Sequence, residues 1–99
     1  MAETTPFDAA EYLETPEDIA AYLTEAFATD DPAYITQAVG TAARAKGMSA
    51  VAKATRLGRE NLYRALGVDG NPGFATVMRV LRSLGIQLTA TANPDQKAA

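Results

Sequence analysis

The chain reads as an all-α domain of five helices with a short C-terminal β-strand and an acidic N-terminal arm. Three observations predict this. Alanine is abundant while aromatic residues make up only 7% of the 99 residues, a balance that favours helices over sheets. Five stretches sit between recognisable helix start and stop signals. Only one run, residues 86–92, alternates as a strand does.

Residues 1–14 show no helical period. Phe7, Tyr12 and Leu13 are apolar anchors in an acidic, small-residue stretch, which reads as an extended arm. The domain proper spans residues 15–92. Its first helix opens at Thr15-Pro16: a capping hydroxyl, a proline suited to the first helical position, then Glu17 and Asp18 on the positive end of the dipole. Ile19, Leu23 and Phe27 recur every four residues, with Tyr22 and Ala26 beside them. Asp31-Pro32 opens a second helix by the same logic. Ile35, Ala38, Val39 and Ala42 form its apolar stripe, and Gly47 ends it. Ser49 is the expected cap of a short third helix over 50–55. A turn at Arg56-Leu57-Gly58 leads to a fourth helix from Arg59 to Leu66. The Gly67–Gly73 loop is rich in turn residues. Phe74, Val77, Met78, Leu81 and Leu84 mark the fifth helix, which Gly85 stops. The strand-like run that follows lacks a partner strand in the chain, so pairing with a second subunit is expected. Residues 93–99 read as a disordered tail.

Charge is divided sharply. Residues 1–31 hold nine acids and no base; the rest of the chain holds nine bases and three acids, which leaves the net −3. Residues 44–64 carry Arg44, Lys46, Lys53, Arg56, Arg59 and Arg64 against one acid, Glu60. Such a split suggests a nucleic-acid surface beside an acidic arm. The chain has no cysteine, so no disulfide framework and no thiolate metal site, and no histidine, which removes the commonest general base and the commonest metal ligand together. Neither an enzyme nor a metal or cofactor site is therefore expected. The Gly67–Gly73 loop lacks the Gly-Lys-Ser/Thr ending of a phosphate loop. Capping and solvation account for most of the acids. No apolar run reaches the length of a membrane span, so the expected setting is the cytoplasm, without a membrane partner.

Residues 49–66 carry the functional signal. Two short helices joined by a tight turn need a small residue early in the first, and apolar residues at the turn and midway along the second. Ala52, Leu57 and Leu62 fill those places, the pattern of a helix-turn-helix. The second helix then presents Arg59, Glu60, Asn61, Tyr63 and Arg64 outward. Arginine reads guanine with two hydrogen bonds, asparagine reads adenine, and Glu60 suits a cytosine amine or an ion pair with Arg64. Arg44, Lys46, Lys53 and the Ser49 cap suit phosphates, and Arg56 in the turn completes the DNA-binding candidates. Arg79 and Arg82 lie opposite the apolar stripe of the fifth helix and read as solubilising charges.

The run Arg59-Glu60-Asn61-Leu62-Tyr63-Arg64-Ala65-Leu66, the turn Asp69-Gly70-Asn71-Pro72, the segment Phe74-Ala75-Thr76-Val77 and the entry at residues 15–23 resemble the addiction-module antidote proteins. These are HigA-like antitoxins with a Cro/cI-type helix-turn-helix in a lambda-repressor-like fold, and the similarity runs from Phe7 to Leu88. The resemblance implies an antitoxin that binds a small basic RelE/ParE-type toxin and represses its own operon. Two positions depart from the family pattern: Arg56 stands where the turn usually has glycine, and Gly58 where the second helix usually has a serine cap. A left-handed Arg56 would cost about 1–2 kcal/mol; Gly58 offers the same turn one step displaced.

The expected function is thus an antitoxin and autorepressor that works as a homodimer on a palindromic double-stranded operator. The acidic arm, through Phe7, Glu11, Tyr12, Leu13 and Glu14, is the expected toxin-binding segment. The alternatives are a stand-alone phage-type repressor, or a pure protein inhibitor that does not bind DNA.

Overall fold

The computed structural model describes residues 8–95, and all its regular elements are helices. A 3-10 turn, Ala9–Tyr12, precedes five α-helices: α1 Pro16–Phe27, α2 Pro32–Lys46, α3 Met48–Thr55, α4 Arg59–Ala65 and α5 Phe74–Ser83. No strand occurs among the described residues.

Local chemistry sets most of the helix ends. At α1 the Thr15 hydroxyl accepts from the Asp18 N–H at 3.1 Å, and the Asp18 carboxylate accepts in return from the Thr15 and Glu14 N–H groups. This reciprocal box satisfies donors that a helix N-terminus otherwise leaves orphaned. The same bonds, that from Glu14 first and that from Thr15 next, hold the Asp18 carboxyl below its ordinary pKa range. Asp31 caps α2 by accepting from the N–H groups of Ala33 and Tyr34. Gly47, at φ 110°, ends α2 and begins α3 without a linker, a conformation that favours glycine. At the end of α5, the Ile86 N–H reaches the Leu81 carbonyl and the Gly85 N–H reaches that of Arg82, with Gly85 left-handed at φ 79°. This is a Schellman closure, and it turns Ile86 back against the core.

All five helices contribute to one core. Leu23, Val39, Val51, Leu62, Val80 and Leu81 are its largest fully buried side chains. α2 passes through the middle, contacting the 3-10 turn, α1, α3 and α5. Its stripe is nearly all alanine and glycine, which lets neighbours approach closely. A β-carbon on Gly40 would lie 2.7 Å from the Leu66 carbonyl oxygen, so the end of α4 packs directly on the α2 backbone.

Several expectations need correction. α3 begins at Met48 rather than residue 50, and Gly47, not Ser49, is its cap. The cause is tertiary: Met48 is a core side chain, 6% exposed, and its burial draws the helix start forward, leaving Ser49 in the first turn facing solvent. Phe27, Phe74 and Met78 are not core residues; Phe74 is 71% exposed. Ala26 supplies the buried end of the α1 stripe, and the α5 stripe is Val77, Val80, Leu81 and Leu84. Over its described part the acidic arm is not extended. Asp8 caps the 3-10 turn, which packs on α2, and Leu13 reaches the edge of the core. Residues 86–93 are irregular, because no described segment offers a strand edge with which to pair. Residues 93–95 close in a turn headed by the Asn93 side chain, and the rest of the tail lies outside the described residues.

Candidate nucleic-acid interface

α3 and α4 are two short helices joined through Arg56, Leu57 and Gly58, an arrangement compatible with a helix-turn-helix. Leu62 is buried, while Ala52 and Leu57 are half-buried against the same core, so the three apolar positions read from the sequence do fasten this unit to the domain. Arg56 adopts the left-handed conformation, φ 63° and ψ 27°, whereas Gly58 is extended and caps α4 without a side chain. The turn is therefore not displaced by a residue. Thr55 stabilises it from inside. Its hydroxyl is buried, donates to the Val51 carbonyl at 2.8 Å and accepts from the Leu57 N–H at 3.3 Å.

The outer face of α4 presents Arg59, Glu60, Asn61, Tyr63 and Arg64, all exposed. Two contacts organise them. The Arg59 guanidinium lies 5.5 Å from the centre of the Tyr63 ring, a cation–π distance. Arg64 donates to the Asn61 side-chain oxygen at 3.2 Å. The expected Glu60–Arg64 ion pair is absent: Asn61, at three-residue spacing, takes the arginine. The arrangement is a helix face rich in hydrogen-bond donors, pre-positioned by its own neighbours.

Around it, Ser49, Lys53 and Arg56 are exposed on α3 and the turn, and Lys46 is exposed at the end of α2. Arg44 is engaged. It donates to the Asp8 carboxylate at 3.3 Å and to the Thr41 hydroxyl at 3.3 Å. Arg44 and Tyr63 both line one groove of about 220 Å³, together with Gly40, Met48 and Leu66. Of the candidate toxin-binding residues, Glu11, Tyr12 and Glu14 are exposed, Leu13 is half-buried, and Phe7 lies outside the described residues.

One cluster was not anticipated. Arg56, Arg79 and Arg82 line a single depression between the end of α3 and α5 that has no carboxylate in its wall. The spacing of Arg79 and Arg82 places them one helical turn apart, but only the fold brings Arg56 to them. Among the described residues no group of three or more His, Cys, Asp or Glu could hold a metal ion, and no helix is long and apolar enough to cross a membrane.

Comparison with known proteins adds a family. Residues 3–92 match the family model described as "Probable addiction module antidote protein". A Haemophilus influenzae protein, described as uncharacterized, is 46% identical over 81 residues, which cover 82% of this chain and 84% of that one. No solved structure matches the chain significantly.

Proposed function

The chain belongs to the family of probable addiction module antidote proteins, and from that premise we infer a protein that neutralises a small basic RelE/ParE-type toxin by direct binding and represses its own operon by binding a palindromic operator. An antidote implies a toxin partner, which favours this reading over a stand-alone phage-type repressor. The observation that carries the DNA half is the exposed face of α4, with Arg59, Asn61, Tyr63 and Arg64 ordered by one another and Lys46, Lys53 and Arg56 on the flanking segments.

In this reading α3 and α4 are a HigA-like, Cro/cI-type helix-turn-helix, and α4 enters the major groove. Arg59 and Arg64 read guanines, and Asn61, its oxygen oriented by Arg64, reads an adenine. Glu60 faces a cytosine amine. Ser49, Lys53, Lys46, Arg44 and Arg56 hold phosphates, which fix register without specifying sequence. One α4 reads few base pairs, so specificity requires a two-fold dimer on half-sites about 34–36 Å apart. Residues 86–91 supply the dimer contact by pairing as strands across the two-fold axis, and the exposed Phe74, Met78 and Leu88 extend that surface. The acidic arm steers and holds the toxin, with Glu11 and Glu14 giving the charge. Phe7 and Tyr12 are its apolar anchors. Leu13 fixes the arm to the body rather than meeting the toxin, since it is half-buried against the core.

Titrations of an operator duplex and a random duplex at several salt concentrations test this. Asn61→Ala is expected to cost about 1–3 kcal/mol on the operator and little on random DNA. Lys53→Ala is expected to weaken both alike and to reduce the salt slope by about one. Absence of duplex binding at any salt would leave a pure protein inhibitor as the function.

A further inference from the structure

One long-range polar contact joins the arm to the basic surface. Asp8 and Arg44 are 36 residues apart in sequence and 3.3 Å apart in space. Asp8 uses its two oxygens for two tasks: Oδ1 accepts from the Ala10 N–H and shapes the 3-10 turn, while Oδ2 takes the Arg44 guanidinium. Arg44 in turn shares the lining of one groove with Tyr63, which carries Arg59 over its ring. A carboxylate belonging to the arm therefore sits at the border of the α4 face, on a cation suited to a phosphate.

We propose that Arg44 is an exchangeable anion seat, held by Asp8 in the free protein and by a DNA backbone phosphate in the complex, so that the acidic arm competes with operator DNA. The proposal rests on the DNA-binding reading above. The pair has the properties that exchange requires. Both side chains are substantially open, with 44% and 40% of their surface exposed, so solvent and ions reach them. An exposed pair of this kind is weak and replaceable. A phosphodiester offers Arg44 the same acceptor chemistry as the carboxylate, and it arrives with neighbouring phosphates for Lys46 and Lys53. The displaced segment carries Glu11 and Glu14 as well as Asp8, so its departure also removes like charge from the path of the DNA. Any partner that draws the arm away raises operator affinity by the same factor with which DNA raises that partner's affinity, because coupling between sites is reciprocal.

Asp8→Asn isolates the effect, because asparagine keeps an oxygen for the Ala10 N–H but loses the charge. Operator affinity of the full chain is measured by fluorescence anisotropy for the wild type, Asp8→Asn, Arg44→Ala and the double variant, with Glu25→Gln on α1 as a charge-matched control. Asp8→Asn is expected to tighten binding by a factor of about two to five at low salt, the upper range for an exposed ion pair, and the gain is expected to shrink as salt rises. In the Arg44→Ala background the same substitution is expected to change nothing, and Glu25→Gln is expected to change nothing in either. An Asp8→Asn gain that persists without Arg44, or that Glu25→Gln reproduces, means diffuse charge and overturns the competition. So does wild-type binding that Asp8→Asn leaves unaltered. If the wild type binds no duplex at all, the DNA reading falls and takes this inference with it.

Discussion

Arg56→Gly is expected to stabilise the protein, although it removes a charge and adds no contact. Arg56 sits at φ 63° and ψ 27°, where an L side chain crowds its own carbonyl. That conformation costs about 1–2 kcal/mol. Glycine removes the cost but loses more freedom on folding, by about 0.5–1 kcal/mol. Across those ranges the net gain is about 0–1.5 kcal/mol, about 0.75 kcal/mol at the midpoints. For a domain of this size the midpoint corresponds to a rise in Tm of about 3–6 °C, at about 4–8 °C per kcal/mol. No packing term offsets it, because the Arg56 side chain is exposed. The turn's internal support, the Thr55 hydroxyl between Val51 and Leu57, uses only the backbone of its neighbours. Thermal and urea melts followed by circular dichroism measure the change, with an unaltered m-value marking a true stability difference. Arg56→Val is the opposite control, since a β-branched side chain tolerates a left-handed backbone poorly. A glycine variant that melts at or below the wild type, or a valine variant that melts with it, would show that the left-handed Arg56 carries no such cost.

Gly40→Ala is expected to destabilise by about 1–3 kcal/mol, because its β-carbon would press on the Leu66 carbonyl and force α4 away from α2; denaturant melts check it, and a wild-type midpoint would mean that the two helices separate freely. Asp18→Ala is expected to lower the melting temperature at neutral pH by removing one half of the α1 capping box, the carboxylate that accepts from the Glu14 and Thr15 N–H groups, while the residue-18 N–H still reaches the Thr15 hydroxyl. Because the folded-state pKa of Asp18 lies below its ordinary 3.8, its charge-dependent contribution is present above that value and is lost as pH falls through the depressed one. The gap between wild type and variant is therefore expected to narrow below about pH 3.8, and melts across the acid range that keep a constant gap would count against the charged cap. Deleting residues 86–99 is expected to yield a monomer by sedimentation, whereas a truncated protein that remains dimeric would move the interface elsewhere.

What the sequence made legible is what short-range chemistry decides. Thr15-Pro16-Glu17-Asp18 and Asp31-Pro32 signal their helices because the capping atoms lie within four residues of the groups they cap. Leu62 signals its burial because the polar residues around it on α4 leave it alone on the inner face. The errors share another origin. Periodicity gives a stripe but not where the neighbouring helix stops covering it, so Phe27 and Phe74, at the extremities of their helices, follow the stripe and yet are exposed. Ser49 has the chemistry of a cap, yet the start of α3 is set by burial of Met48, a tertiary event. The anchoring of Asp8 on α2 depends on an arginine 36 residues away, and the Arg56, Arg79 and Arg82 depression on a left-handed residue meeting α5. Neither leaves a trace in local composition. Arg64 presents a finer case: the spacing to Glu60 satisfied the helix-pair rule, but Asn61 won the arginine.

We propose the exposed face of α4 as the surface that meets DNA. An NMR titration of the isotope-labelled protein with a duplex from its own promoter tests it residue by residue. Backbone and side-chain shifts are expected to concentrate on Arg59 to Arg64 and the start of α3, with the Arg44 side chain changing partner, while the exposed faces of α1 and the 3-10 turn respond only where Asp8 lets go. Shifts concentrated on α1 or on the Phe74–Met78 face of α5, with α4 silent, would contradict it.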